Sequence, residues 1–234
     1  MFLPLADWCC FGIFLTLFIA YSWLVESSPW ARHTLSRTIA VERKNWFDTC
    51  VGRDIRIIDS HIMGLQQNGA AYFGSASLLG VGAGFTLLST SESLAQTLVN
   101  FPVLGQPTPG VLQVKSLILM LVFALAFFQF AWSFRLFGYN AIVLGSIKEL
   151  RQDNLSAAQA TARRAAALNT FAGQNFNQAM RLFFFAIPLI FWLISPYALV
   201  AATLLLVSIM FRRQFLTVAM VKGLVLAWEI EDRS

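Results

Sequence analysis

The chain has 234 residues, 57% of them hydrophobic and only 12% charged, with a formal net charge of +5. A typical globular chain is about 25% charged, so this composition, with a mean hydropathy of +0.65, excludes an ordinary soluble domain. It also removes nucleic acid as the meaning of the basic balance, because membrane proteins retain Lys and Arg on their cytoplasmic side.

The first apolar run, "LADWCCFGIFLTLFIAYSWLV", covers about residues 5–25 and is long enough to cross roughly 30 Å of hydrocarbon. Asp7, not a basic cluster, stands at its start, so it reads as a retained span with the amino terminus outside. Trp8 and Trp23 fall near its ends, where aromatic rings favour the interface.

A polar segment follows, with a helix expected over about residues 40–66. Its apolar residues Phe47, Val51, Ile55, Ile58, Ile62 and Leu65 recur every three or four positions. On a helix they share one face about 80° wide, and Asp48, Arg53, Arg56 and Asp59 lie on the other. The basic residues here are nearly balanced by Glu26, Glu42, Asp48, Asp54 and Asp59. Ion pairs within and between helices, for instance Lys44 with Asp48 or Arg56 with Asp59, therefore fit better than a polybasic lipid clamp.

The second span is expected over residues 67–89. Ala76, Gly80 and Gly84 recur every four residues and form a ridge that lets a partner helix approach closely. "GVGAG", Gly80–Gly84, is no phosphate loop, since it lies inside an apolar span with no strand before it. Residues 91–110 carry three prolines and two glycines, which forbid one continuous helix. The third span covers residues 111–134, with helix able to run on to Leu144, and holds Gln129 as its strongly polar side chain.

The next polar segment is expected to be helical over residues 156–170, with Ser156 and Gln159 matching a capping box and Asn154 and Asn169 bracketing it. The last apolar stretch, Leu182–Phe211, is about 45 Å long as helix, too much for one upright span. Pro196 disfavours helix at Ser195, so the chain makes either one long kinked span or a hairpin of two short ones, residues 177–194 and 197–213. Five spans with an external amino terminus leave only Lys115 among the basic residues outside. Four spans would also export Arg212, Arg213, Lys222 and Arg233, so the positive-inside rule prefers five. The fold class is thus all-α: a polytopic helical membrane protein of five spans, four as the alternative, with two cytoplasmic amphipathic helical segments in one integral membrane domain.

Chemistry is sparse. Asp54 and His61 project from one edge of the first polar helix, with Cys50 and Arg43 on the same side. A metal needs three or four convergent ligands, and HExxH spacing is absent, so neither a metal nor a cofactor is expected. No GxSxG or Walker motif occurs. Cys9, Cys10 and Cys50 make no even disulfide framework. Arg135 and Arg181 sit at cytoplasmic span ends, where they can snorkel, and ionisable groups in mid-membrane are scarce.

"GRDIRIIDSHIMGLQQNGAAYFGSASLLGVGAG", "FAWSFRLFGYNAIVLGS", "GQNFNQAMRLFFFAIPLIFWLISPYALVAATLLL" and "RRQF" together resemble a family of bacterial inner-membrane proteins catalogued as domain of unknown function 599. Arg56 to Asp59 before a small-residue span, and Arg135 followed by Tyr139 and Asn140, are the residues that carry the likeness. The resemblance implies a helical protein of the bacterial inner membrane and supplies no mechanism.

Three function classes compete. The first is a non-catalytic accessory subunit or self-assembling scaffold, a homo-oligomer or part of a larger membrane complex, contacting membrane lipids. The second is an oligomeric channel or transporter lined by Gln129, Ser75, Ser77 and the polar ends Gln66, Gln67 and Asn68. The third is a lipid- or quinone-linked enzyme using Asp54, His61 or Asp59 as acid–base groups. The first requires no intramembrane charge and is the expected one, with the carboxyl terminus cytoplasmic.

Overall fold

The computed structural model describes residues 3–99, 108–148 and 155–216. Asn154, the loop prolines Pro102 and Pro107, and the tail residues Lys222 and Arg233 lie outside them. Among the described residues there are seven α-helices and no strand: α1 (Leu5–Glu26), α2 (Leu35–Cys50), α3 (Ile57–Ser89), α4 (Ser91–Val99), α5 (Pro109–Gly145), α6 (Leu155–Trp192) and α7 (Pro196–Phe211). A short 3₁₀ turn, Pro29–His33, separates α1 from α2. Four segments are long and apolar enough to cross a membrane: Leu5–Glu26, Ile57–Ser89, Pro109–Gly145 and Pro196–Phe215.

The fifth expected span, residues 177–194, does not meet that measure. It is the end of α6, which runs unbroken for 38 residues. Its apolar part starts only after Arg181, and Leu182–Trp192 covers about 16 Å as helix, half the hydrocarbon thickness. The separate helix expected at 156–170 and the expected span are therefore one rod. Asn169, expected to close a helix, lies buried in its middle. The rod holds because its inward positions keep one repeat throughout: Ala158, Ala162, Ala165, Asn169, Ala172, Phe176, Ala179, Phe183 and Ala186 alternate by four and three.

The chain divides into two compact units, Met1–Ile39 with Ile187–Ser234, and Ala40–Ala186. In the first, α1 packs on α7. Trp192 Nε1 donates to Asp7 Oδ1 at 2.8 Å, and Phe11 stacks on the Trp192 ring at 4.9 Å. The carboxylate in the first turn of α1 also faces the positive end of the helix dipole. The turn before α7 forms as Pro196 requires. Ser195 is its extended N-cap, its Oγ accepting from Tyr197 N, with proline at the first helical position.

In the second unit α3 lies along α5, and small residues set how closely. Gly74 faces Phe130 Cβ, Gly80 the Phe123 ring and Gly84 the Met120 backbone. The ridge partner is thus a helix of the same chain. Ser77 belongs to the contact face, fully buried with its hydroxyl returned to Phe73 O; Ala76 is only half-buried. A Cβ on Gly84 would stand 3.0 Å from Met120 Cβ and 3.2 Å from its Cα. Backbone cannot swing aside as a side chain does. Gly84→Leu is therefore expected to destabilise the purified protein by about 2 kcal/mol through overpacking, read from unfolding in mixed micelles. Gly82→Leu, with open space around Gly82, should show no such loss and, leucine being the better helix former, should gain by up to about 1 kcal/mol.

The same Phe123 and Phe130 belong to a cluster with Phe73, Phe176 and Phe183, packed edge-to-face and stacked with centroids 5.6–6.5 Å apart, the preferred aromatic geometries. At the other end an alanine-lined cluster joins Ala158, Ala162, Ala165 and Ala166 to Phe47, Cys50, Val51, Met63, Leu144 and Ile147. The small side chains of α6 let the end of α2 lie close.

Candidate functional site

The helix expected over 40–66 is two helices. α2 stops at Cys50 and α3 starts at Ile57. On one continuous helix Trp46 and Asp59 would be about 20 Å apart along the axis. Instead Trp46 Nε1 donates to Asp59 Oδ1 at 2.7 Å, so the chain must fold back. Gly52, a poor helix former, sits in the break, and turns at Gly52 and Arg53 close it. Ile55, Ile57, Ile58 and Leu65 stand exposed as a result, where the continuous helix would have set Ile55, Ile58 and Leu65 on its packed face.

Asp59 organises the junction. It is fully buried in the first turn of α3, where the helix dipole favours a carboxylate. Oδ1 accepts from Trp46 and Arg53, and Oδ2 from the Cys50 thiol at 3.5 Å. Trp46 and Cys50 are four apart on the last turns of α2, which points both to one side, and Arg53 joins them from the break. Arg56 turns the other way: its guanidinium donates to the carbonyls of Ile147 and Lys148, just past the end of α5. A cation there matches the negative end of the α5 dipole.

Burial, then the Asp59 carboxylate, push the Cys50 thiol up to about 11 from its ordinary value of 9.0. Two pH units cut the thiolate about a hundredfold at neutral pH. A maleimide at pH 8 should thus leave Cys50 unlabelled in the folded protein and label it after unfolding, as intact-mass analysis would read.

A second polar layer lies between α2, α3, α5 and α6. Arg43 Nη1 donates to Asn169 O at 2.7 Å. The guanidinium rests where Gly173 has no side chain; a Cβ there would collide with it. Burial lowers the Arg43 pKa. Asn169 Nδ2 donates to Gln66 Oε1 at 2.8 Å and to Met63 Sδ at 3.3 Å, and Asn140 Nδ2 approaches the same sulfur at 3.5 Å. Further along, Ser133 Oγ donates to Ala172 O, and Gln129 Nε2 to Gln178 Oε1 at 3.0 Å. Polar groups thus run along the α5–α6 seam from Asn140 to Gln129.

Of the residues singled out from sequence, Arg53, Arg56 and Asp59 belong to the junction, and Asn140 and Gln129 to the seam. Asp54 and His61 are exposed and join neither. Arg135 is exposed, donating to Tyr139 Oη and lying 5.7 Å from that ring's centroid. Arg181 is buried on α6. Trp46 and Gly173 were not visible as site residues, since a tryptophan in a polar helix and a glycine in an alanine-rich one fit simpler roles. The unbroken four–three repeat through Asn169 was the signal for the buried asparagine. An open cavity of about 570 Å³ lies beside the junction, lined by Lys44, Asp48, Val51, Gly52, Leu155, Gln159 and Arg163. Among the described residues no group of three or more His, Cys, Asp or Glu side chains could hold a metal.

Apolar helices of spanning length, tied at their ends by charged side chains, define a polytopic helical membrane protein. The chain belongs to the family described as "Protein of unknown function, DUF599", whose family model matches residues 9–219. No curated protein and no solved structure matches it.

Proposed function

We propose that the chain is a non-catalytic protein of the bacterial inner membrane, an accessory subunit or self-assembling scaffold that works through helix packing. The supporting observation is where the motif's charges end. Arg53 pairs with Asp59, and Arg56 lies on carbonyls after α5. These groups are engaged in joining helices, which is the work of a structural element. In this reading the amino terminus is outside and the carboxyl terminus cytoplasmic. That takes an odd number of crossings, so the α6 end crosses too, from near Asn177 rather than from Leu182, and α7 returns as the second arm of a short hairpin.

Native mass spectrometry of gently solubilised protein tests it. Self-association or a stoichiometric second protein is expected. A stable monomer that moves ions or solutes across liposomes overturns the reading. The polar seam favours the channel or transporter as the second reading, because polar side chains inside membrane helices mark pathways. In that case Gln129→Leu should abolish the liposome flux.

A further inference from the structure

We infer that the Asn140–Asn169 layer is a water-binding site, holding ordered water between α2, α3, α5 and α6. This goes beyond the proposed function and holds for a scaffold or a pore alike.

Asn140 and Asn169 are both fully buried. Each amide spends its nitrogen within the chain, on Met63 Sδ and, for Asn169, also on Gln66. Their oxygens, Asn140 Oδ1 and Asn169 Oδ1, are buried with no donor among the described residues. Arg43 Nε is likewise buried with no acceptor there, on the side chain whose Nη1 reaches Asn169 O. Three unsatisfied atoms thus fall within one linked set of side chains, where buried polar groups ordinarily find partners.

Turning the amides over does not repair this. Even with Gln66 turned as well, it would set both asparagine carbonyls against the Met63 sulfur, which is itself an acceptor. Whatever completes this layer has to offer donors to the two carbonyl oxygens and an acceptor to Arg43 Nε. A metal ion or ammonium offers no acceptor and is repelled by the guanidinium. An anion offers no donor to the carbonyls. A neutral group that both donates and accepts fits, and it must be small, because Asn140, Asn169 and Met63 are all but closed to solvent. Water meets these requirements, making about three hydrogen bonds to otherwise unsatisfied groups. Half-buried Arg43 and Gln66 stand at its margin.

X-ray radiolytic footprinting of the full chain in lipid nanodiscs tests the site, because hydroxyl radicals formed from bound water oxidise the side chain beside it. Met63 is expected to gain oxygen despite its burial, with a rate several-fold lower in Asn140→Leu/Asn169→Leu. Met63 left unmodified in the wild-type chain while exposed Trp30 is oxidised overturns the proposal, and needs no variant to fold. Unchanged oxidation in a folded double variant overturns it too, by tracing the oxidation to transient opening.

Discussion

Asp59→Ala is expected to destabilise the solubilised protein by about 3 kcal/mol, the largest single effect in the Arg53–Asp59 motif. The substitution removes the acceptor of Trp46 Nε1, Arg53 and the Cys50 thiol together. Arg53 contributes the smaller share, because its side chain is 37% exposed and its charge can return to water. Trp46 cannot recover so easily, since its N–H is held against a fully buried group. Asp59→Asn should cost about 1 kcal/mol, keeping one oxygen for Trp46 while losing the charge. Asp54→Ala, at an exposed position, should lie within about 0.5 kcal/mol of the wild type. Denaturant unfolding in mixed micelles orders the three; equal curves for Asp59→Ala and Asp54→Ala would show that the junction carries no weight.

Why the junction escaped a sequence reading follows from what periodicity measures. Phe47, Val51, Ile55, Ile58, Ile62 and Leu65 do satisfy a helical template, yet a template has no term for one buried carboxylate gathering donors from both sides of a break. The small-residue pattern was more legible, because glycines on a span have few uses besides close approach. Gly80 and Gly84 do meet α5, although nothing in their spacing said that the partner lay in the same chain. Pro196 marked the start of α7 for a purely local reason, the missing N–H and fixed φ. The extent of α6 was lost at Asn169, which read as a helix-ending residue, and only the repeat of small residues on either side argues that the helix continues. Function was least legible, since of the charges that drew attention Asp54 and His61 are exposed, while Arg53, Arg56 and Asp59 are engaged within the fold.

Gly173 offers the sharper test of that buried layer. A methyl group at this position would collide with the Arg43 guanidinium, which is the far end of a flexible side chain and can leave. Gly173→Ala should therefore not break α6, where alanine is the better helix former by about 1 kcal/mol. It should expel Arg43 and strip Asn169 O of its charged donor, a loss of about 1.5–3 kcal/mol for a hydrogen bond from a charged group. The net expectation is destabilisation by about 1 kcal/mol. In Arg43→Ala the guanidinium is already gone, so the same glycine substitution then has no clash to make and should stabilise. That reversal of sign is what distinguishes a fitted cradle from a merely sensitive helix. A double-mutant cycle on Arg43→Ala and Gly173→Ala reads it directly. Additive effects would mean that Arg43 rests beside Gly173 without depending on it.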